Sequence, residues 1–233
     1  MGWRSQLLNA VFNDYNKFSK EELSEMDAYE FGVLEGDSMK ELSSIFIQNR
    51  IELNSFNGFD VFTGMPKETA EPIYQESWDP DIHPDLFNAV KRLNLDTPEE
   101  CATAIENSVS EIFSKSNYKT KVSIFAGLVE NTLKKNIKKS KFKKAFYVDF
   151  DLDIYSPTKY AFKFLMDNKL IVPGTFIGYD DWGGTPGFKT YEDGESRAHK
   201  EITDEYGIKM TKIFEMGDSF PHVQNIWIVD EVV

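Results

Sequence analysis

The chain has 233 residues, 41% hydrophobic and 14% aromatic, and its 39 acidic side chains outnumber 26 basic ones, giving a formal net charge of −13. That length and composition exclude a disordered chain and fit one α/β domain with a sizeable core. The charge disfavours nonspecific nucleic-acid binding, and the single cysteine, Cys101, excludes an internal disulfide and a cysteine-rich zinc site.

The opening residues, MGWRSQLLNAVFNDYNKF, lack the continuous apolar core of a signal peptide. Gln6 stands where N-myristoylation requires Ser or Thr. No apolar run is long enough to span a bilayer. The expectation is a soluble, cytoplasmic protein with no membrane or nucleic-acid partner. A homo-oligomer stays open.

The first strand candidate, AYEFGV (28–33), runs into EFGVLEGDSMKEL (30–42). Ser38 and Glu41 have capping-box spacing, and Met39, Leu42, Ile45 and Phe46 recur at helical spacing, so a helix is expected there. A strand, a glycine turn and a helix N-terminus aim backbone N–H groups at a ligand, and Gly32 and Gly36 permit close approach. The pattern is not G-x-G-x-x-G, so a dinucleotide fold is poorly supported. The second strand candidate, NGFDVF (57–62), places Asp60 at its carboxyl end, where it can accept hydrogen bonds from ribose hydroxyls. A solvated or capping aspartate is the other reading.

Residues 65–118 interrupt the alternation with PKETAEPIYQESWDPDIHPDLF and then helical sequence, whose start is marked by Thr97, Pro98 and Glu100. Such an insertion is expected to be a lid or acceptor-binding loop, with a helical decoration as the alternative. KVSIFAG (121–127) is the third strand candidate, and the basic run KKNIKKSKFKK (134–144) reads as a solvated helix and loop.

The fourth strand candidate, KAFYVDFD (144–151), carries Asp149, Asp151 and Asp153 at alternate positions, hence on one face. Ser156 and Pro157 predict a helix start just beyond, with Ser156 as cap. The fifth, GTFIGYDD (174–181), ends in Asp180, Asp181 and Trp182. Clustered carboxylates repel and are costly to desolvate unless a cation compensates them. Aspartates from two strand ends make a hard oxygen site suited to Mg²⁺; carboxylates facing water are the alternative.

His199, in EDGESRAHKEITDEYG, is expected to be solvated. His83 could face a substrate, and His222 lies in a turn. Trp78 and Trp182 are candidates to line an acceptor pocket or to pack at the sheet edge. IKMTKIFEM (208–216) and VQNIWIVDEV (223–232) read as a closing antiparallel hairpin. The expected architecture is one α/β domain over 1–233. It has a Rossmann-like, seven-stranded, mostly parallel sheet, helices on both faces and that C-terminal hairpin.

These segments, taken in order, resemble the class I S-adenosylmethionine (SAM)-dependent methyltransferases, and among them the macrocin O-methyltransferase (TylF-like) family. EFGVLEGDSM, GFDVFTGMP, SIFAGLVENTL, DLDIYSPTKYAF, GTFIGYDDW and GESRAHKE carry the likeness. It implies a SAM pocket at Glu30, Gly32, Gly36, Ser38 and Asp60, with Gly127 nearby. It also implies Mg²⁺ held by Asp151, Asp180 and Asp181. The register of catechol-type relatives would put Asp149 in place of Asp151. Leu34 and Glu35 depart from the family's first turn, as does the 65–118 insertion. The implied activity is metal-dependent O-methylation of a small hydroxylated molecule, a sugar or glycoside among the candidates. Asp151 or Asp153 would take the proton. Two rivals stay open: a nucleotide-sugar glycosyltransferase using a D-x-D metal site, and a non-catalytic SAM-binding module.

Overall fold

Seven strands join in one sheet of order β3-β2-β1-β4-β5-β7-β6. The computed structural model describes residues 3–70, 79–82, 84–140, 142–182, 193–216 and 223–232. In chain order the elements are α1 (Trp3–Tyr15), α2 (Lys20–Leu23), β1 (Asp27–Phe31), α3 (Asp37–Gln48), β2 (Ser55–Asp60), α4 (Ala89–Arg92), α5 (Pro98–Lys115) and β3 (Lys121–Ala126). Then follow α6 (Val129–Ser140), β4 (Ala145–Phe150), α7 (Tyr155–Asp167), β5 (Phe176–Tyr179), α8 (Gly194–Tyr206), β6 (Lys209–Met216) and β7 (Gln224–Glu231). Strands β1 to β5 pair in parallel, and β7 runs antiparallel to β5 and β6. The expected mostly parallel sheet and its closing hairpin are both present. The turn sequence GDSFPH and His222 lie outside the described residues.

Strands β1 and β4 are buried at every position, as a sheet covered on both faces requires. One face packs Leu8 and Phe12 of α1, Leu42 and Phe46 of α3, and Ile105 and Phe113 of α5. The other packs Leu133 of α6, Phe162 and Leu165 of α7, and Ile202 of α8. An aromatic row crosses five strands on this second face: Phe125, Phe59, Phe31, Phe150 and Tyr179, with successive centroids 4.9, 5.0, 5.5 and 5.3 Å apart. The row fixes the strand ends level with one another, just below the site.

Strand order reverses between β1 and β4, so a crevice opens outside their carboxyl ends. Three local expectations need correction. Helix α3 is capped by Gly36 at φ 79° rather than by a side chain; Ser38 lies inside its first turn and donates to Glu30, while Glu41 accepts from the Ser5 amide at 3.2 Å. Helix α7 starts at Tyr155, one residue before Ser156. Its cap comes from a distant loop, because the Glu68 carboxylate accepts from both the amide (2.9 Å) and the hydroxyl of Ser156.

The third correction concerns 65–118. Thr97 accepts from the Glu100 amide at 3.2 Å and Pro98 opens α5, as predicted. That helix buries Cys101, Ile105, Val109 and Phe113. It is the crossover between β2 and β3 and belongs to the core. Among the described residues, no helix is long and apolar enough to cross a membrane.

Candidate active site at the strand carboxyl ends

The chain leaves β1 through Gly32, at φ 92°. A Cβ there would stand 1.7 Å from the carbonyl oxygen of Asp151, so the exit from β4 passes where a side chain would be. At Gly36 a Cβ would meet Ile105 of α5 at 2.5 Å. Neighbouring protein atoms thus demand both glycines, in addition to any ligand contact.

Asp60 ties this turn to the end of β2. Its Oδ2 accepts from the amides of Val33 and Leu34, each at 2.8 Å, and its Oδ1 accepts from the amide of Phe62 at 2.5 Å. Burial pushes its carboxyl above the ordinary range, against the pull of these amides. Its backbone carbonyl accepts from Gly127 at 2.8 Å, which brings the β3 exit alongside. Glu30, wholly buried, accepts from Ser38 on Oε1, while Oε2 has no hydrogen-bond partner among the described residues. Burial, then the charge of Asp149, push the Glu30 carboxyl well up.

The three aspartates of β4 have three different surroundings. Asp149 is 0% exposed; Arg4 Nε donates to its Oδ2 at 2.7 Å and the Tyr147 hydroxyl to its Oδ1 at 2.9 Å. Asp151 accepts from Arg4 Nη2 at 3.0 Å, and Asp180 Oδ1 lies 3.6 Å from Arg4 Nη1. Asp153, at φ 63°, turns out of the strand line. Oxygens of Asp151, Asp153 and Asp181 all fall within 4.8 Å of one another. Burial first pushes both Asp151 and Asp153 well up, followed by Asp180 for the former and Asp181 for the latter. Beneath them Glu195, wholly buried in the first turn of α8, accepts from the amides of Leu152 and Asp181, each at 3.1 Å. Such a set of buried, mutually repelling oxygen donors fits Mg²⁺ or a similar hard cation.

A cavity of about 780 Å³ joins the two halves, lined by Gly32, Ser38, Asp60 and Gly127 on one side and by Asp151, Asp153, Asp180 and Asp181 on the other. That size suits a small-molecule site. Met65, Pro66 and Phe87, from the stretch ahead of α5, form part of its wall. Gly36, Glu30 and Asp149 stand behind the lining.

His199 is not solvated. It is buried, its Nδ1 lies 3.0 Å from the Tyr179 hydroxyl, and its ring packs 5.0 Å from Trp182 and 4.6 Å from Trp227. Desolvation lowers its pKa to about 3, so it is neutral. Trp182 belongs to that aromatic cluster and does not line the cavity. His83 and Trp78 lie outside the described residues. Sequence reasoning missed Arg4, Glu68 and Glu195. Only Glu195 had a signal, its place in GESRAHKE.

No family model matches the chain, and no curated protein does. Solved structures do. The O-methyltransferase NovP is 16% identical, with 98% of this chain aligned to 80% of that one at a TM-score of 0.62. The calicheamicin methyltransferase CalS11 is 16% identical, over 96% of this chain and 76% of that one, at a TM-score of 0.58. A further structure of CalS11, described as a TDP-rhamnose 3′-O-methyltransferase, is 16% identical over 96% and 77%, at a TM-score of 0.52. The chain therefore shares the Rossmann-like fold of these methyltransferase structures.

Proposed function

We propose that this chain is a SAM-dependent O-methyltransferase acting on a small hydroxylated acceptor, with a divalent metal. One observation carries the reading: the glycine turn of β1, the acid at the end of β2 and the carboxylate cluster of β4 and β5 open into a single cavity at the switch point of the sheet. The named activities of the fold's solved relatives support it.

The turn from Gly32 to Ser38, with Asp60 and Gly127, would hold SAM. Asp60 lines the cavity at the end of β2 and would accept from a ribose hydroxyl beside the backbone amides it already holds. Asp151, Asp153 and Asp181 would hold Mg²⁺, which when bound polarises an acceptor hydroxyl and lowers its pKa. Asp153 would accept that hydroxyl's proton on a carboxylate oxygen. Met65, Pro66 and Phe87 exclude water from the methyl-transfer line.

The wall also speaks to the acceptor. Beyond the five aspartates already named, Glu35, Asp37 and Glu130 line it, against Lys67 as the one basic residue among the described lining. Such a wall favours a neutral or cationic polyol, glycoside or amino sugar over a sugar carried on a diphosphate.

Transfer of labelled methyl from SAM to panels of neutral glycosides, amino glycosides and nucleotide-diphosphate sugars tests this. The expected result is Mg²⁺-dependent turnover with the first two. Turnover confined to diphosphate sugars would overturn the acceptor class, and SAM binding without any transfer would leave a binding module.

A further inference from the structure

The carboxylate cluster is served by a cation that the chain supplies itself. Arg4 sits in the first turn of α1, which Leu8, Val11 and Phe12 anchor in the core. Its side chain is 7% exposed, and its three nitrogens reach Asp149, Asp151 and Asp180 at 2.7, 3.0 and 3.6 Å. A planar guanidinium can spread over several carboxylates in this way; an ammonium cannot. Each oxygen of Asp149 then has a partner, Arg4 on one and Tyr147 on the other. Asp153 and Asp181 form with Asp151 the group whose oxygens converge.

We propose that Arg4 is the positioning residue of this cluster: it neutralises Asp149 and pins Asp151, so that a divalent cation is left the face made by Asp151, Asp153 and Asp181. The proposal rests on the reading of the cluster as a cation site. On this proposal Asp151 and Asp153 are ligands and Asp149 is not. Asp149 is withdrawn by an ion pair that spans 145 positions of sequence, and Asp151 is shared between the guanidinium and the metal. Arg4 also limits the affinity, because its positive charge stands against one of the ligands.

The test is a Mn²⁺ titration of the full chain followed by electron paramagnetic resonance, which reads bound metal without turnover. Wild type should bind Mn²⁺ and Asp181→Asn should lose it. Arg4→Gln should bind about tenfold more tightly, since a neighbouring positive charge is gone and Asp149 is released. Removing one partner of a buried pair can unfold a chain, so Arg4→Gln/Asp149→Asn is the second variant. It deletes the pair together and should keep Mn²⁺ affinity within about threefold of wild type, because the charge balance is restored.

Mn²⁺ affinity unchanged in folded Arg4→Gln, with Asp181→Asn still losing the metal, would overturn the role of Arg4 alone; weakened affinity would overturn the limit its charge sets and uphold its hold on Asp151. Loss of Mn²⁺ by the double variant would make Asp149 a ligand and overturn it too. A wild type that binds no Mn²⁺ would remove the cation site and the proposal together.

Discussion

Single carboxylates with the same chemistry take different roles here because their neighbours differ. Asp149 is a buried half of an ion pair, Asp151 is shared, and Asp153 stands in a left-handed turn facing Asp181. Asp153→Asn should therefore stabilise the metal-free protein, since it removes one charge from a repelling group, and asparagine tolerates the left-handed backbone. The same change should lower Mg²⁺ affinity and nearly abolish methyl transfer. Urea midpoints in chelator, set beside turnover, check it; a loss of metal-free stability would mean that the cluster does not repel. Asp60 is a different case. Asp60→Ala frees three backbone N–H groups as well as any ribose contact. It should cost about 1–3 kcal/mol of folding stability for the unsatisfied donors, beyond any loss of ligand affinity. A variant with wild-type stability and weakened binding would place Asp60 on the ligand alone.

At the scale of elements, the site depends on strands ending level. The aromatic row from Phe125 to Tyr179 holds five strand ends in register, with Phe31 at its centre, 0% exposed. Phe31→Ala should cost about 3–5 kcal/mol, as truncation of a buried aromatic does, and should weaken both SAM and metal binding because β1 and β4 carry the two halves. Denaturant unfolding with parallel ligand titrations would read it; loss of stability with intact binding would show that the row does not set the geometry. Helix α8 contributes a pH limb. His199 titrates near 6.5 when unfolded and near 3 when folded, so the unfolded chain binds the extra proton between those values. Its contribution is present above about pH 6.5 and is lost as pH falls towards about 3. His199→Gln should flatten stability over that window, measured as urea midpoints; an unchanged slope would assign the acid limb elsewhere.

For the whole molecule, local pattern carried much of the architecture. Seven apolar runs correspond to seven strands, and Asp151, Asp153, Asp180 and Asp181 follow strand ends, where a buried strand gives way to a turn; Asp149 lies inside β4, buried against Arg4. Contacts between distant residues were invisible. Nothing around Arg4 in WRSQLL points to β4, and Glu68 is one acid among several in a Pro-rich stretch. The S-x-x-E signature at Ser38 misled because a glycine cap served the helix, leaving that hydroxyl to Glu30. The core role of α5 was written in Cys101, Ile105 and Val109 at helical spacing, but the irregular sequence before it drew both into one insertion.

One cavity at the switch point of the sheet is expected to hold a SAM-type ligand. Calorimetric titration of the full chain with S-adenosylhomocysteine tests it most directly. Saturable binding of one molecule per chain is expected, in chelator as well as in Mg²⁺, and retained in Asp181→Asn, which alters only the metal half of the cavity. No binding of S-adenosylhomocysteine, with binding of a UDP-sugar in its place, would rule out a SAM pocket and restore the nucleotide-sugar reading of the aspartates.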